Sequence, residues 1–130
     1  MILRLNNLSD EYSAAYINAL CELVHKDSKK WWTDIKTGEP LNRNFGEMIA
    51  LVHSELSEAL EAHRKDLMDD KLPHRKGVDV ELADALIRIF DIAGGLNIDL
   101  GRAVMEKMFY NRNREDHKIE NRLKEGGKKY

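Results

Sequence analysis

Glu55-Leu56-Ser57-Glu58 and its echo, Glu81-Leu82-Ala83-Asp84, are the stretches from which the fold and chemistry of this chain are read. Residues three apart on a helix occupy neighbouring positions of one face, so each motif turns two carboxylates toward the same side. Two such helices packed together make one nest of four carboxylates. A projection at about 100° per residue puts Met48, Leu51, Val52, Ala59 and Ala62 within roughly 60° of Glu55. Leu56 and Leu60 continue that apolar stripe, and Glu58 stands at its other edge. Glu55 is therefore predicted inside the apolar face. In the second helix Ala85, Ile92, Leu82, Ile89 and Leu96 cluster beside Glu81, with Asp84 at the rim.

An unpaired carboxylate pushed toward a low-dielectric core is costly, and four together add mutual repulsion, so a positive partner is required. A divalent cation meets the requirement, and hard oxygen ligands at this density suit magnesium, with manganese as a substitute. The plainer reading is of solvated helix charges in a chain with 34% charged residues. It fits either motif alone better than it fits the matched pair.

The 130 residues bound the chain to one domain with a real core. A formal charge of −2 gives neither the basic footprint of a nucleic-acid binder nor the acidity of a disordered chain, so no nucleic-acid polymer is expected as partner. The lone Cys21 lies in an apolar helical pattern and reads as a buried, inert thiol. No apolar run is long enough to span a bilayer, and Met1-Ile2-Leu3-Arg4-Leu5-Asn6 lacks the pattern of a signal peptide. A cytoplasmic protein without a membrane partner is expected.

After that short apolar arm, Ser9 and Asp10 supply capping chemistry, and Tyr12, Ala15, Tyr16, Ala19, Leu20, Leu23 and Val24 predict an amphipathic helix to about Lys29. Trp31-Trp32-Thr33-Asp34-Ile35-Lys36-Thr37-Gly38-Glu39-Pro40 breaks the pattern and forms the main loop. Either its indoles offer a surface on which a nucleobase stacks, or one plugs the core and the other is partly exposed. Asn44 and Glu47 form a capping box that starts a second helix running from Phe45 to about Leu67. A polar linker around Pro73 and Gly77 returns the chain, so that the two acidic helices become antiparallel neighbours.

Asp79 is the expected N-cap of the third helix, which stops at Gly94-Gly95. Val80, Ala83, Ile87 and Phe90 add a second apolar set to it, so the helix is covered either by a second subunit or by complete burial within one chain. Asp99 caps a fourth helix whose apolar face, Leu100, Ala103 and Val104, turns into Lys107, Asn111, Arg114 and Lys118, all within about 40° of Lys107. These cations either clamp a polyanion held at the carboxylates or decorate a helix end in water. A basic, glycine-containing tail, 119–130, follows and is read as mobile.

Metal-bound carboxylates, a cationic helix and stackable aromatics together match a nucleoside triphosphate, and no Walker loop is present. Glu55-x-x-Glu58, Glu81-x-x-Asp84 and Lys107-x-x-x-Asn111-x-x-Arg114 resemble the all-α nucleoside triphosphate pyrophosphohydrolases. This is the MazG-like superfamily, which includes dimeric dUTPases and dCTP pyrophosphatases. The similarity runs from about Trp31 to Arg114 and is greatest to the small single-domain proteins of phages and bacteria. A phage-encoded member would act in the host cytoplasm.

The resemblance implies a four-helix core over about residues 9–118 of a single domain, 1–130, completed by homodimer or homotetramer packing. It also implies magnesium-dependent cleavage between the α and β phosphates, giving a nucleoside monophosphate and pyrophosphate, with deoxyribonucleoside triphosphates as the expected substrates. Glu55, Glu58, Glu81 and Asp84 match the metal ligands, one glutamate also activating water. Lys107 matches a phosphate-contacting lysine, Asn111 and Arg114 follow it, and Trp31 or Trp32 falls near the base.

Two rivals stand beside this reading. A carboxylate-bridged di-iron protein would need a Glu-x-x-His motif on two helices, and His53, His63, His74 and His117 do not supply it. A non-catalytic helical module that binds nucleotide or protein would keep the fold without turnover.

Overall fold

The computed structural model describes residues 8–130; the expected apolar arm, Met1 to Asn6, lies outside the described residues. Five α-helices carry the described chain: α1 (Leu8–Ser28), α2 (Phe45–Arg64), α3 (Gly77–Gly95), α4 (Leu100–Arg112) and α5 (Ile119–Arg122). Two single 3-10 turns, Lys29–Trp32 and Glu115–His117, complete the regular structure, and no sheet is formed among the described residues. The all-α class expected from the helical periodicity is thus observed. No helix among these residues is long and apolar enough to cross a membrane.

The chain divides into two compact units. The larger, Leu20–Ile98, holds the second half of α1, the Trp31-Trp32 turn, α2 and α3. Asn44 starts α2 as the sequence predicts, its side-chain oxygen accepting from the Glu47 amide at 3.1 Å. The helix ends at Arg64, three residues short of Leu67. Asp66 takes a left-handed φ of 51°, and the Leu67 amide donates back to the Ala62 carbonyl. This is the Schellman closure that glycine usually supplies, here made by an aspartate, so no residue type announces it.

Asn97 ends α3 in the same way, with φ 54° and the Ile98 amide donating to the Ala93 carbonyl. At its start α3 begins at Gly77, two residues before the predicted cap, because the returning linker pairs Met68 with Lys76 and the Gly77 amide donates to the Leu67 carbonyl. Asp79 instead sits in the first turn, where the helix dipole favours an anion.

Met48 and Val52 of α2 pack on Ala85 and Ile92 of α3, with Trp32 against them. Met48 meets the end of α3 while Ala62 meets its start, so the two helices are antiparallel. Truncating a core side chain such as Met48, 3% exposed, costs about 2–5 kcal/mol by loss of burial and creation of a cavity. Small residues, Ala59, Ala62 and Ala85, keep the helices close. Leu56, Leu60, Leu82, Leu86 and Ile89, by contrast, are exposed.

The other unit joins the described residues up to Ala19 with Asp99–Tyr130. Helix α1 begins at Leu8, so Ser9 and Asp10 lie in its first turn and not before it. Asp99 caps α4: its Oδ1 accepts from the Arg102 amide at 3.2 Å and from Asn18 Nδ2 at 2.8 Å. Asn18 in turn accepts from the Gly101 amide at 2.8 Å. Gly101 lies so near α1 that an added Cβ would stand 2.0 Å from the Ala14 carbonyl oxygen.

Helix α4 stops at Arg112, which corrects the expectation of one helical stripe reaching Lys118. Asn113 donates from its side chain to the Phe109 carbonyl at 2.8 Å, and Arg114 leaves in an extended conformation. The tail, read as mobile, folds back, Arg122 donating to the carbonyls of Lys128 and Lys129.

Gly101→Ala is expected to lower stability by about 1–3 kcal/mol, because backbone atoms of α1 must retreat. Thermal or urea unfolding followed by circular dichroism measures it, and an unchanged midpoint would contradict the close approach.

Candidate functional site

The apolar stripe of α2 carries Glu55 into the α2–α3 contact, where it is 7% exposed. Burial alone would push its carboxyl upward. The hydrogen bond from Arg88 Nε, at 2.6 Å, and the guanidinium charge, with hydrogen bonds from Glu58 and Glu81, instead hold it below the ordinary glutamate value. Glu55, Glu81 and Asp84 each bring one carboxylate oxygen within 4.8 Å of the others. Oxygens on one divalent ion stand at most about twice the metal–oxygen distance apart, about 4.2 Å for magnesium and about 5 Å for calcium, so this group could hold a divalent cation.

Glu81 bears the electrostatic cost of the cluster. Burial, the charge of Glu58, the hydrogen bond to Glu55 and the charges of Glu55 and Asp84 together push it up to about 7. Asp84 is also raised, by burial and by Glu55, against the opposing charge of Arg88. Glu58 is exposed and outside the tight group of three, although its charge reaches Glu81. No histidine joins this cluster among the described residues.

Glu55 and Asp84 line a cavity of about 540 Å³, within the range of ligand sites. Asp84, Arg88 and Asp91 follow one another along the α3 side of it, Glu55 and Leu51 stand on α2, and Trp31 and Arg43 complete the wall. Trp31 is 64% exposed, with the Lys30 ammonium 5.7 Å from its ring centre. Trp32 is half-buried and anchored: its Nε1 donates to both oxygens of Asp91 at 3.0 Å, and its ring fills the space that a Cβ on Gly95 would occupy. Of the two readings open for the tryptophan pair, the core plug with an exposed neighbour describes the observed packing.

Asp91, 8% exposed, gathers two further groups, His25 and Arg43. His25 Nδ1 lies 2.9 Å from its Oδ1, Arg43 Nη1 lies 3.7 Å from its Oδ2, and the Arg43 guanidinium sits 5.1 Å over the Trp32 ring. His25 meets Trp32 edge-on, their ring centres 5.2 Å apart.

Lys107, Asn111, Arg114 and Lys118 belong to the unit of α4. Lys107 and Arg114 both lie over Tyr110, at 4.6 and 5.9 Å. Arg114 forms a two-pronged pair with Asp116 at 2.9 and 2.6 Å, and Lys118 pairs with Glu115 at 2.6 Å. Asn111 Oδ1 is buried with no hydrogen-bond partner, a state that costs about 1–3 kcal/mol unless something fills it. Cys21 is buried as expected, and burial pushes its thiol upward.

Arg88, Asp91, Arg43 and His25 were missed as site residues. A signal existed on α3, where Glu81, Asp84, Arg88 and Asp91 fall at spacings of three, four and three and so share one side of a helix that is otherwise apolar. Nothing local marks Arg43 or His25.

Comparison of the chain with protein-family models, curated proteins and solved structures finds no match.

Glu81 is an acid whose folded value, about 7, lies above its ordinary 4.5, so the folded state holds its proton more tightly than the unfolded state does. Its contribution to stability is complete below 4.5 and is lost as pH rises through about 7. Without divalent cation, the melting temperature of wild type is therefore expected to fall across this window, and Glu81→Gln to flatten the fall. Melting curves taken across the window measure this; equal slopes in the two proteins would refute it.

Proposed function

We propose that this chain is a magnesium-dependent nucleoside triphosphate pyrophosphohydrolase of the MazG-like kind, acting on deoxyribonucleoside triphosphates and releasing a monophosphate and pyrophosphate. One observation carries the reading. Of three convergent carboxylates, Glu55, Glu81 and Asp84, the first and last line a cavity that also presents an exposed indole, Trp31, and two guanidinium groups, Arg43 and Arg88. Oxygen ligands for a hard cation, cations for phosphate and a flat ring for a base are the parts that a nucleotide substrate requires.

Glu55, Glu81 and Asp84 would hold a divalent cation, which would supply Lewis-acid polarisation of a phosphoryl oxygen and a lowered pKa for water. Glu58, one turn along α2 and outside the tight cluster, accepts the proton of the attacking water. Trp31 stacks the base, while Trp32, tied to Asp91, holds the wall behind it. Lys107, Asn111, Arg114 and Lys118 are the set assigned to the phosphates, whose oxygens accept from ammonium, guanidinium and amide N–H groups.

A homodimer or homotetramer completes the four-helix core. The exposed Leu56, Leu60, Leu82, Leu86 and Ile89 supply apolar surface on both acidic helices for a second copy to cover. Sedimentation of the purified protein as a dimer or tetramer is expected, and a strict monomer at micromolar concentration would contradict this assembly.

The decisive experiment is hydrolysis of a panel of ribo- and deoxyribonucleoside triphosphates with magnesium, products resolved as monophosphate plus pyrophosphate or diphosphate plus phosphate. Monophosphate with pyrophosphate is expected. Glu58→Gln and Asp84→Asn should each abolish turnover while leaving the helical circular dichroism spectrum intact, and Lys107→Ala should weaken substrate binding or slow the reaction. Diphosphate as product would overturn the proposed bond cleavage, and no turnover by wild type would remove the enzymatic reading.

A further inference from the structure

Arg88 stands between the two halves of the proposed chemistry. Its Nε donates to buried Glu55 at 2.6 Å, and its other two nitrogens make no hydrogen bond among the described residues. The side chain is 39% exposed and lines the cavity with Trp31 and Arg43. Its charge also acts on Asp84, as does that of Lys71, and it is the cation hydrogen-bonded to Glu55.

A role as cement between α2 and α3 explains little of this. That contact already has Met48, Val52, Ala85 and Ile92, and a buried ion pair adds little stability beyond what apolar residues of similar size would give. What the pair does is occupy a metal ligand with a positive charge. A divalent ion that takes Glu55 must sit close to the guanidinium bonded to the same carboxylate, and the two repel. A phosphate beside the ion reverses the balance, since the guanidinium fork matches phosphate oxygens in pairs.

Resting on the metal and nucleotide reading given above, we propose that Arg88 couples the two ligands. It holds Glu55 and opposes a cation when no nucleotide is bound, and it turns its guanidinium to the phosphates when one arrives. The coupling is reciprocal: whichever ligand draws Arg88 away from Glu55 raises the affinity for the other. The side chain changes partners while α3 stays in place. Arg88 is thereby a phosphate-binding residue and also a guard against filling the carboxylates with metal alone.

The test compares wild type with Arg88→Gln and Arg88→Lys, at a pH well above the Glu81 titration. Mn²⁺ binding without nucleotide is followed by electron paramagnetic resonance, and binding of an α,β-imido deoxyribonucleoside triphosphate at saturating Mn²⁺ by calorimetry. Arg88→Gln should bind Mn²⁺ alone about tenfold more tightly than wild type and the analogue about tenfold or more weakly. Arg88→Lys keeps the charge and loses the fork, so its Mn²⁺ affinity should match wild type while its analogue affinity falls.

Mn²⁺ binding by Arg88→Gln that is equal to or weaker than wild type, or analogue binding that is unchanged, overturns the proposal. Should Arg88→Gln fail to fold by circular dichroism, Arg88→Lys decides, and analogue affinity equal to wild type overturns the proposal. Wild type that binds Mn²⁺ and analogue normally beside an indifferent Arg88→Gln removes the role of Arg88 alone. Wild type that binds no Mn²⁺ either alone or with the analogue present removes the metal reading and this inference together.

Discussion

A carboxylate pressed between two helices and neutralised by one arginine is the constraint on which the acidic half of the molecule depends. Glu55 reaches the α2–α3 contact because it shares the apolar face of α2 with Met48, Val52 and Ala59, and there Arg88 meets it at 2.6 Å. One guanidinium cannot neutralise three carboxylates. Glu55 stays ionised, and the cost passes to Glu81, pushed up to about 7 by burial and by its acidic neighbours. Such a cluster is charged enough to attract a cation and crowded enough to hold a proton when none is present.

A second buried carboxylate organises the neighbouring wall. Asp91 follows Arg88 by three residues on α3 and draws in His25 from α1, the indole N–H of Trp32 and the guanidinium of Arg43. Its hydrogen bonds hold the half-buried indole, and Trp31, its neighbour in the same 3-10 turn, is left with an exposed ring. The two carboxylates thus stand on neighbouring helices, Glu55 on α2 holding Arg88 and Asp91 on α3 anchoring Trp32.

The unit of α4 is tied by polar closures. Asp99 caps α4 and also accepts from Asn18, and Asn18 accepts from the Gly101 amide, so two hydrogen bonds lock the start of α4 to α1 where Gly101 permits close approach. Beyond Arg112 the chain folds on itself through local ion pairs. The cations expected along one stripe are therefore engaged differently: Arg114 and Lys118 with acids two or three residues away, and Lys107 over an aromatic ring.

What the sequence by itself determined is the part governed by local geometry. Periodicity placed the helices, Asn44 and Asp99 announced their caps, and the spacing of Glu55, Glu81 and Asp84 put carboxylates on facing stripes, because a helix repeats every 3.6 residues wherever it occurs. Helix ends were less legible where Asp66 and Asn97 adopt the left-handed conformation usual for glycine, and where the Asn113 side chain takes a carbonyl from α4. Only the tertiary structure decided which charges meet. Arg88 finds Glu55 across 33 positions of sequence, Trp32 finds Asp91 across 59 and His25 finds it across 66. No local propensity encodes such a choice, because a side chain's partner is set by which helices pack together and by the burial that makes an unpaired charge too costly to keep.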